Sequence, residues 1–111
     1  MQHQLIQAMI ADSQAEAYAA RCMILDAAKK RDAGEPVTML ATCCKMFASE
    51  AVGRVADRAV QVFGGAGYVA DYGVERFFRD ARIFRLYEGT TQIQQIIIAR
   101  ELSRAAKRGE I

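Results

Sequence analysis

Few side chains in this sequence are of types that carry covalent or metal chemistry, and their spacing excludes most of it. His3 is the only histidine among 111 residues. It has no carboxylate three residues before it, so the Glu-x-x-His pairs of a di-iron bundle are missing. No Cys-x-x-Cys occurs, and no metal site is expected. A nucleophilic triad fails as well, because that same histidine is the only candidate imidazole. The run Gly64-Gly65-Ala66-Gly67 follows a helical pattern instead of a strand, lacks the third glycine of a dinucleotide fingerprint, and precedes no Gly-Lys-Ser/Thr. It reads as a helix end whose backbone N–H groups can meet an anion or a ring edge. Glu88 lies between Tyr87 and Gly89, just ahead of a helix start, where a carboxylate commonly complements the helix dipole.

The elements that would hold these residues are helical. Gln2 to about Asp32 contains no helix breaker. Ile6, Met9, Ile10, Ser13, Ala17, Ala20, Ile24 and Ala28 recur at three- and four-residue steps, one face of a helix. Gly34 suits a left-handed C-cap and Pro36 a first helical turn. A second helix carries the stripe Leu40, Cys44, Phe47, Ala48, Ala51, Val55, Ala59 and Val62, with Lys45, Glu50, Arg54 and Asp57 off it. It ends at the glycine run. A short helix is expected around Val74 to Asp80, anchored by Phe77 and Phe78. Thr91-x-x-Gln94 has the form of a capping box opening a last helix to about Lys107. Three long helices and a short one predict an all-α, antiparallel (up-down) four-helix bundle, a single domain over residues 1–111.

Composition agrees with a globular chain: 52% hydrophobic and 25% charged residues, and one proline. The formal net charge of +2 points to no nucleic-acid or membrane-surface partner. Arg100, Arg104, Lys107 and Arg108 read as a solvated helix end. No stretch has the length of a membrane span, and no signal-peptide pattern opens the chain. Three cysteines, with Cys43 and Cys44 adjacent, fit reduced thiols in bacterial cytoplasm or mitochondrial matrix better than a disulfide framework.

Three blocks carry a more specific signal: Ala59-Val-Gln-Val-Phe-Gly-Gly-Ala-Gly-Tyr68, Phe78-Arg-Asp-Ala-Arg-Ile83 and Tyr87-Glu-Gly-Thr-Thr-Gln-Ile-Gln94. In this order and spacing they resemble the acyl-CoA dehydrogenase family. His3 to Ile6, Ala11-Asp12, Ala27-Ala28 and Ala41 through Ala51 fit the preceding helices of its C-terminal domain, so the resemblance covers essentially the whole chain. It implies an enzyme that converts acyl-CoA thioesters to trans-2-enoyl-CoA, with Glu88 removing the α-proton and FAD accepting the β-hydride. The same match gives the thioester carbonyl a hydrogen bond from the base's own backbone N–H and another from a flavin ribityl hydroxyl. A bound acyl chain that excludes water would make the carboxylate a stronger base. Gly89 is implied to leave room for substrate.

By the same resemblance, Gln61, Val62, Phe63, Gly64 and Gly65 meet the FAD of a neighbouring subunit. Thr90, Thr91 and Gln92 meet flavin at the last helix's N-terminus, and Gln4 is a further flavin contact. Electron-transferring flavoprotein is the implied acceptor, and a homo-oligomer the implied assembly. Glu88 argues for the branch resembling short- and medium-chain, short-branched-chain and glutaryl enzymes. The chain would begin just after the family's Arg-x-x-Phe-Gly segment, without the N-terminal helical and middle β-domains, and would be inactive alone. Two other readings stand beside this one, a non-catalytic assembly module derived from the family and part of an acyl-CoA oxidase.

Overall fold

The computed structural model describes residues 2–111. They form helices α1 (Gln4–Asp32), α2 (Thr38–Phe63), α4 (Val74–Ala81) and α5 (Thr91–Lys107), with a single helical turn, α3 (Gly65–Tyr68), after α2. Short 3₁₀ turns at Ala70–Tyr72 and Arg82–Arg85 complete the path. This is the expected all-helical bundle. Among the described residues no helix is long and apolar enough to cross a membrane.

The long helices end where backbone chemistry stops them. After α1 the Gly34 N–H donates to Arg31 O at 3.0 Å and the Glu35 N–H to Lys30 O at 3.0 Å, the paired bonds of a Schellman cap. Val37 is the N-cap of α2, so Pro36 precedes that helix instead of entering its first turn. Gly67 of α3 is buried against α2, where a Cβ would stand 2.5 Å from Val60 O. Only glycine permits that approach.

A tight loop makes α1 and α2 antiparallel, and an ion-pair cluster fixes their register. Glu16 accepts from Arg54 Nε at 2.8 Å and from Arg58 Nη1 at 2.8 Å, and Arg58 also reaches Ser13 Oγ at 3.4 Å. The Arg58 hydrogen bond foremost, and Arg54 behind it, hold the Glu16 carboxyl below the usual carboxylate range despite opposing burial. The face that α1 turns inward differs from the expected stripe. Ile6, Met9, Ser13, Glu16, Ala19, Ala20, Met23, Ala27 and Lys30 are the covered positions, while Ile10, Ala17, Ile24 and Ala28 are exposed.

Helix α2 is the hub, packed by α1, α3, α4 and α5. It is therefore covered nearly all round, and only Thr38, Ala41, Arg54, Asp57, Gln61 and Phe63 along it are exposed. The core beneath is thin. Among the described residues its buried apolar members are Ala27, Ala51, Ala56 and Ala81, and no large side chain is fully buried. Phe77 and Phe78 do not anchor α4 as expected; they are 74% and 43% exposed, and Ala81 is the α4 residue that packs inward. The accessible surface is 8,097 Å², against about 6,100 Å² for a compact monomer of this mass. Broad apolar faces remain uncovered. The three cysteines are free, and burial, with Cys43 adjacent, pushes the Cys44 thiol up, which keeps it protonated.

Candidate active site

The segment between the Arg82–Arg85 turn and α5 brings together the residues singled out by chemistry. Its backbone is unusual at one place. Glu88 has φ +54° and is the one non-glycine residue of positive φ among those described, and Gly89 follows at φ +90°. A left-handed glutamate is uncommon, and such residues gather where a structure holds a functional group in a fixed pose. The Glu88 side chain is exposed.

Underneath the turn lie two donors from other elements. Gln94 of α5, only 6% exposed, donates through Nε2 to the carbonyls of Glu88 and Gly89, both at 3.3 Å. Lys45 of α2 donates through Nζ to the Gly89 carbonyl at 2.6 Å. A Cβ on Gly89 would collide with Gln94 Nε2, so glycine serves both the φ and the close approach. Among the described residues, the backbone N–H groups from Glu88 through Gln92 find no acceptor. They form a run of donors at the positive end of α5, suited to an anionic or carbonyl oxygen.

The start of α5 is fastened to α2 as well. Thr90 is the N-cap, its Oγ1 accepting from the Ile93 N–H at 3.2 Å. The capping residue is thus Thr90, one position before the expected Thr91, and Gln94 serves the turn instead of a capping box. Thr91 is buried, and its hydroxyl donates to Glu50 Oε1 at 2.7 Å. Across Glu50, at 3.6 Å from Oε2, stands Nη1 of Arg85, whose guanidinium lies over Gly53. Beside the turn, a groove of about 310 Å³ is lined by Lys45, Ala48, Ser49, Val52, Phe84 and Tyr87. The Phe84 and Tyr87 rings sit 5.7 Å apart, tilted by 45°. A mainly apolar groove next to an exposed carboxylate and free N–H groups can take an acyl chain whose polar head meets the turn.

The remaining predicted flavin residues lie elsewhere. Gln61, Phe63, Gly64 and Gly65 are exposed and Val62 half-buried at the C-terminal end of α2. Gln4 is exposed at the start of α1. With Glu16 paired to Arg54 and Arg58, the antiparallel register carries Gln4 toward that same end. From Glu50, where α5 begins, to Phe63 is about 20 Å along α2. The structure therefore groups Glu88 to Gln92 in one site and Gln4 with Gln61 to Gly65 in another. Sequence reasoning missed Lys45, Glu50, Arg85 and Gln94. The first two had been assigned to a polar face, and only their partners across the fold give them a role.

A sequence profile of the acyl-CoA dehydrogenase C-terminal domain matches residues 1–103. The chain belongs to the acyl-CoA dehydrogenase family. Within that family it is 49% identical over 105 residues to the cyclohexane-1-carbonyl-CoA dehydrogenase of Geobacter metallireducens, covering 95% of this chain and 28% of the relative. The butyryl-CoA dehydrogenase of Megasphaera elsdenii superposes with a TM-score of 0.88 at 39% identity, covering 92% of this chain and 27% of that one. The FAD complex of PigA superposes with a TM-score of 0.88 at 30% identity, covering 92% and 27%. The chain spans about a quarter of the length of the family members it matches.

Proposed function

We propose that this chain acts as the C-terminal domain of an FAD-dependent acyl-CoA dehydrogenase, and that Glu88 is the base that removes the α-proton of an acyl-CoA thioester. The observation that carries the reading is the left-handed Glu88 turn, with an exposed carboxylate, unpaired N–H groups beside it and a groove adjoining it. The acyl chain enters the groove between Phe84, Tyr87 and α2, and the thioester oxygen accepts from the Glu88 N–H. Negative charge gathers on that oxygen as the α-proton leaves for the Glu88 carboxylate, and a fixed donor there lowers the barrier. Gly89 keeps the approach free of a side chain.

The residues present fit FAD. The α5 N-terminus presents Thr90, Thr91 and Gln92 with free N–H groups, and Gly64 and Gly65 have open space where a Cβ would stand. Bound there, FAD supplies the acceptor for the β-hydride, giving trans-2-enoyl-CoA. Gln61 to Gly65 and Gln4 form the second contact, toward the flavin of a neighbouring copy, which makes the working form a homo-oligomer. The exposed Leu5, Ile10, Tyr18, Ile24 and Leu25 of α1 supply apolar surface for that association. Electron-transferring flavoprotein is the proposed acceptor, in bacterial cytoplasm or mitochondrial matrix, where free thiols such as Cys22, Cys43 and Cys44 persist. The missing cavity walls come from an N-terminal helical and a middle β-domain.

In the assembled flavoenzyme, Glu88→Gln is expected to lower kcat by about a thousandfold, with FAD still bound and its absorption spectrum unchanged. Near wild-type turnover by that variant would remove the base assignment.

A further inference from the structure

The turn that presents Glu88 is held from beneath by side chains of two other elements. We propose that Lys45 and Gln94 are positioning residues for the base: together they draw the carbonyls of Glu88 and Gly89 inward, fixing the left-handed backbone that turns the carboxylate out. This rests on the reading of Glu88 as base.

Left-handed backbone is disfavoured for any residue with a Cβ, so the turn keeps it only where its surroundings over-determine it. Three donor contacts do so. The Gln94 amide, 6% exposed, bridges both carbonyls at 3.3 Å, and Lys45 Nζ meets the second at 2.6 Å. The lysine is the telling member. It is half-buried and has no carboxylate partner among the described residues, whereas Arg85 pairs with Glu50 and, further along α2, Arg54 and Arg58 pair with Glu16. A cation placed on a neutral peptide oxygen holds that oxygen and polarises its peptide.

Every peptide bond in the described chain is trans, so a carbonyl held inward turns the N–H of the same peptide outward. The Glu88 and Gly89 carbonyls therefore aim the N–H groups of Gly89 and Thr90 away from Gln94 and Lys45. Neither N–H has an acceptor among the described residues. One clamp thus sets both the direction of the base and the line of donors next to it. Because Lys45 sits on the hub helix and Gln94 on α5, the clamp also makes the base's pose depend on how α5 docks on α2.

Two measurements test this. In the assembled flavoenzyme, Lys45→Met and Gln94→Leu are compared with Lys45→Arg and with Lys107→Met, a control at an exposed position in the last turn of α5. In the chain itself, the dipolar coupling between the Glu88 amide proton and its own Hα, read as an intraresidue nuclear Overhauser effect, reports whether φ stays positive, because the two protons come closest there. The expected result is a kcat lowered about ten- to hundredfold by Lys45→Met with KM within about twofold. Lys45→Arg should recover most of the rate, Lys107→Met should leave it unchanged, and the Glu88 coupling should leave its left-handed value in Lys45→Met and Gln94→Leu. The proposal is overturned if Glu88 keeps its coupling in both variants, or if kcat per folded molecule is unchanged in both. Turnover by Glu88→Gln would refute the base reading separately, since the coupling needs no catalysis to be measured.

Discussion

Gly89→Ala separates two reasons for a glycine at the heart of the turn. Gly89 sits at φ +90°, and an added Cβ would run into Gln94 Nε2. Left-handed backbone costs an L-residue about 1–2 kcal/mol. Pushing the buried amide aside breaks its bonds to the Glu88 and Gly89 carbonyls, and unpairing a buried donor costs about 1–3 kcal/mol. The two together give about 2–5 kcal/mol, a large part of the roughly 5–15 kcal/mol that stabilises a typical domain. Gly34 is the internal control. Its φ is +81°, but nothing lies within 4 Å of where a Cβ would stand. Gly34→Ala therefore bears the backbone cost alone, about 1–2 kcal/mol. At about 4 °C per kcal/mol for a chain of this length, thermal melts followed by far-UV circular dichroism should show Tm falling by about 8–20 °C for Gly89→Ala. Gly34→Ala should lose only about 4–8 °C. Equal losses would refute the crowding argument, and no loss in either would refute the backbone one.

Two other perturbations address the scaffold. Glu16 has a folded-state pKa below the usual carboxylate value near 4.5, so its contribution is fully present above about that pH. It is lost as pH falls through the lower, folded value. Glu16→Gln should flatten this acid limb in chemical unfolding measured between about pH 6 and pH 3; an unchanged profile would mean the cluster with Arg54 and Arg58 adds nothing. Gly67→Ala would put a Cβ 2.5 Å from Val60 O and 3.0 Å from Phe63 Cβ. Backbone cannot yield there, and urea unfolding should lose about 3 kcal/mol, the upper range for overpacking. A loss under about 1 kcal/mol would mean that α3 simply swings away from α2.

The helices were legible because their ends are punctuated by residues with local mechanisms: Gly34 in its left-handed cap, and the Gly64 break after α2. Their faces were less so. The stripe on α1, read at three- and four-residue steps, merged Ile10, Ala17, Ile24 and Ala28 with the true inner face and left out Glu16 and Lys30. That face repeats as Ile6, Ser13, Ala20, Ala27 and Met9, Glu16, Met23, Lys30. Glu16 looks like a surface residue, yet its carboxylate is satisfied by two arginines of α2. Polarity that is paired across an interface is invisible to hydrophobic periodicity. Lys45 and Glu50 were set on a polar face for the same reason, although the hub helix leaves only a few positions such as Arg54, Asp57 and Gln61 exposed. Phe77 and Phe78 erred the other way, as large apolar residues that this chain leaves exposed.

Glu88 shows where local reasoning stops. Nothing in Tyr87-Glu88-Gly89 demands a left-handed glutamate; the next residue, not this one, is the glycine that such a backbone favours. The conformation is imposed from outside, by an amide six residues ahead and an ammonium 43 residues behind. Family resemblance found the residue, while the contacts supply the physical reason it stands where it does. Those contacts also divide the labour of the proposed enzyme. With its carboxylate exposed in this chain, Glu88 lacks the dry surroundings that would make it an effective base. What this domain provides is placement: a rigid turn, bolted to two helices, that can be carried intact into a cavity built by other parts.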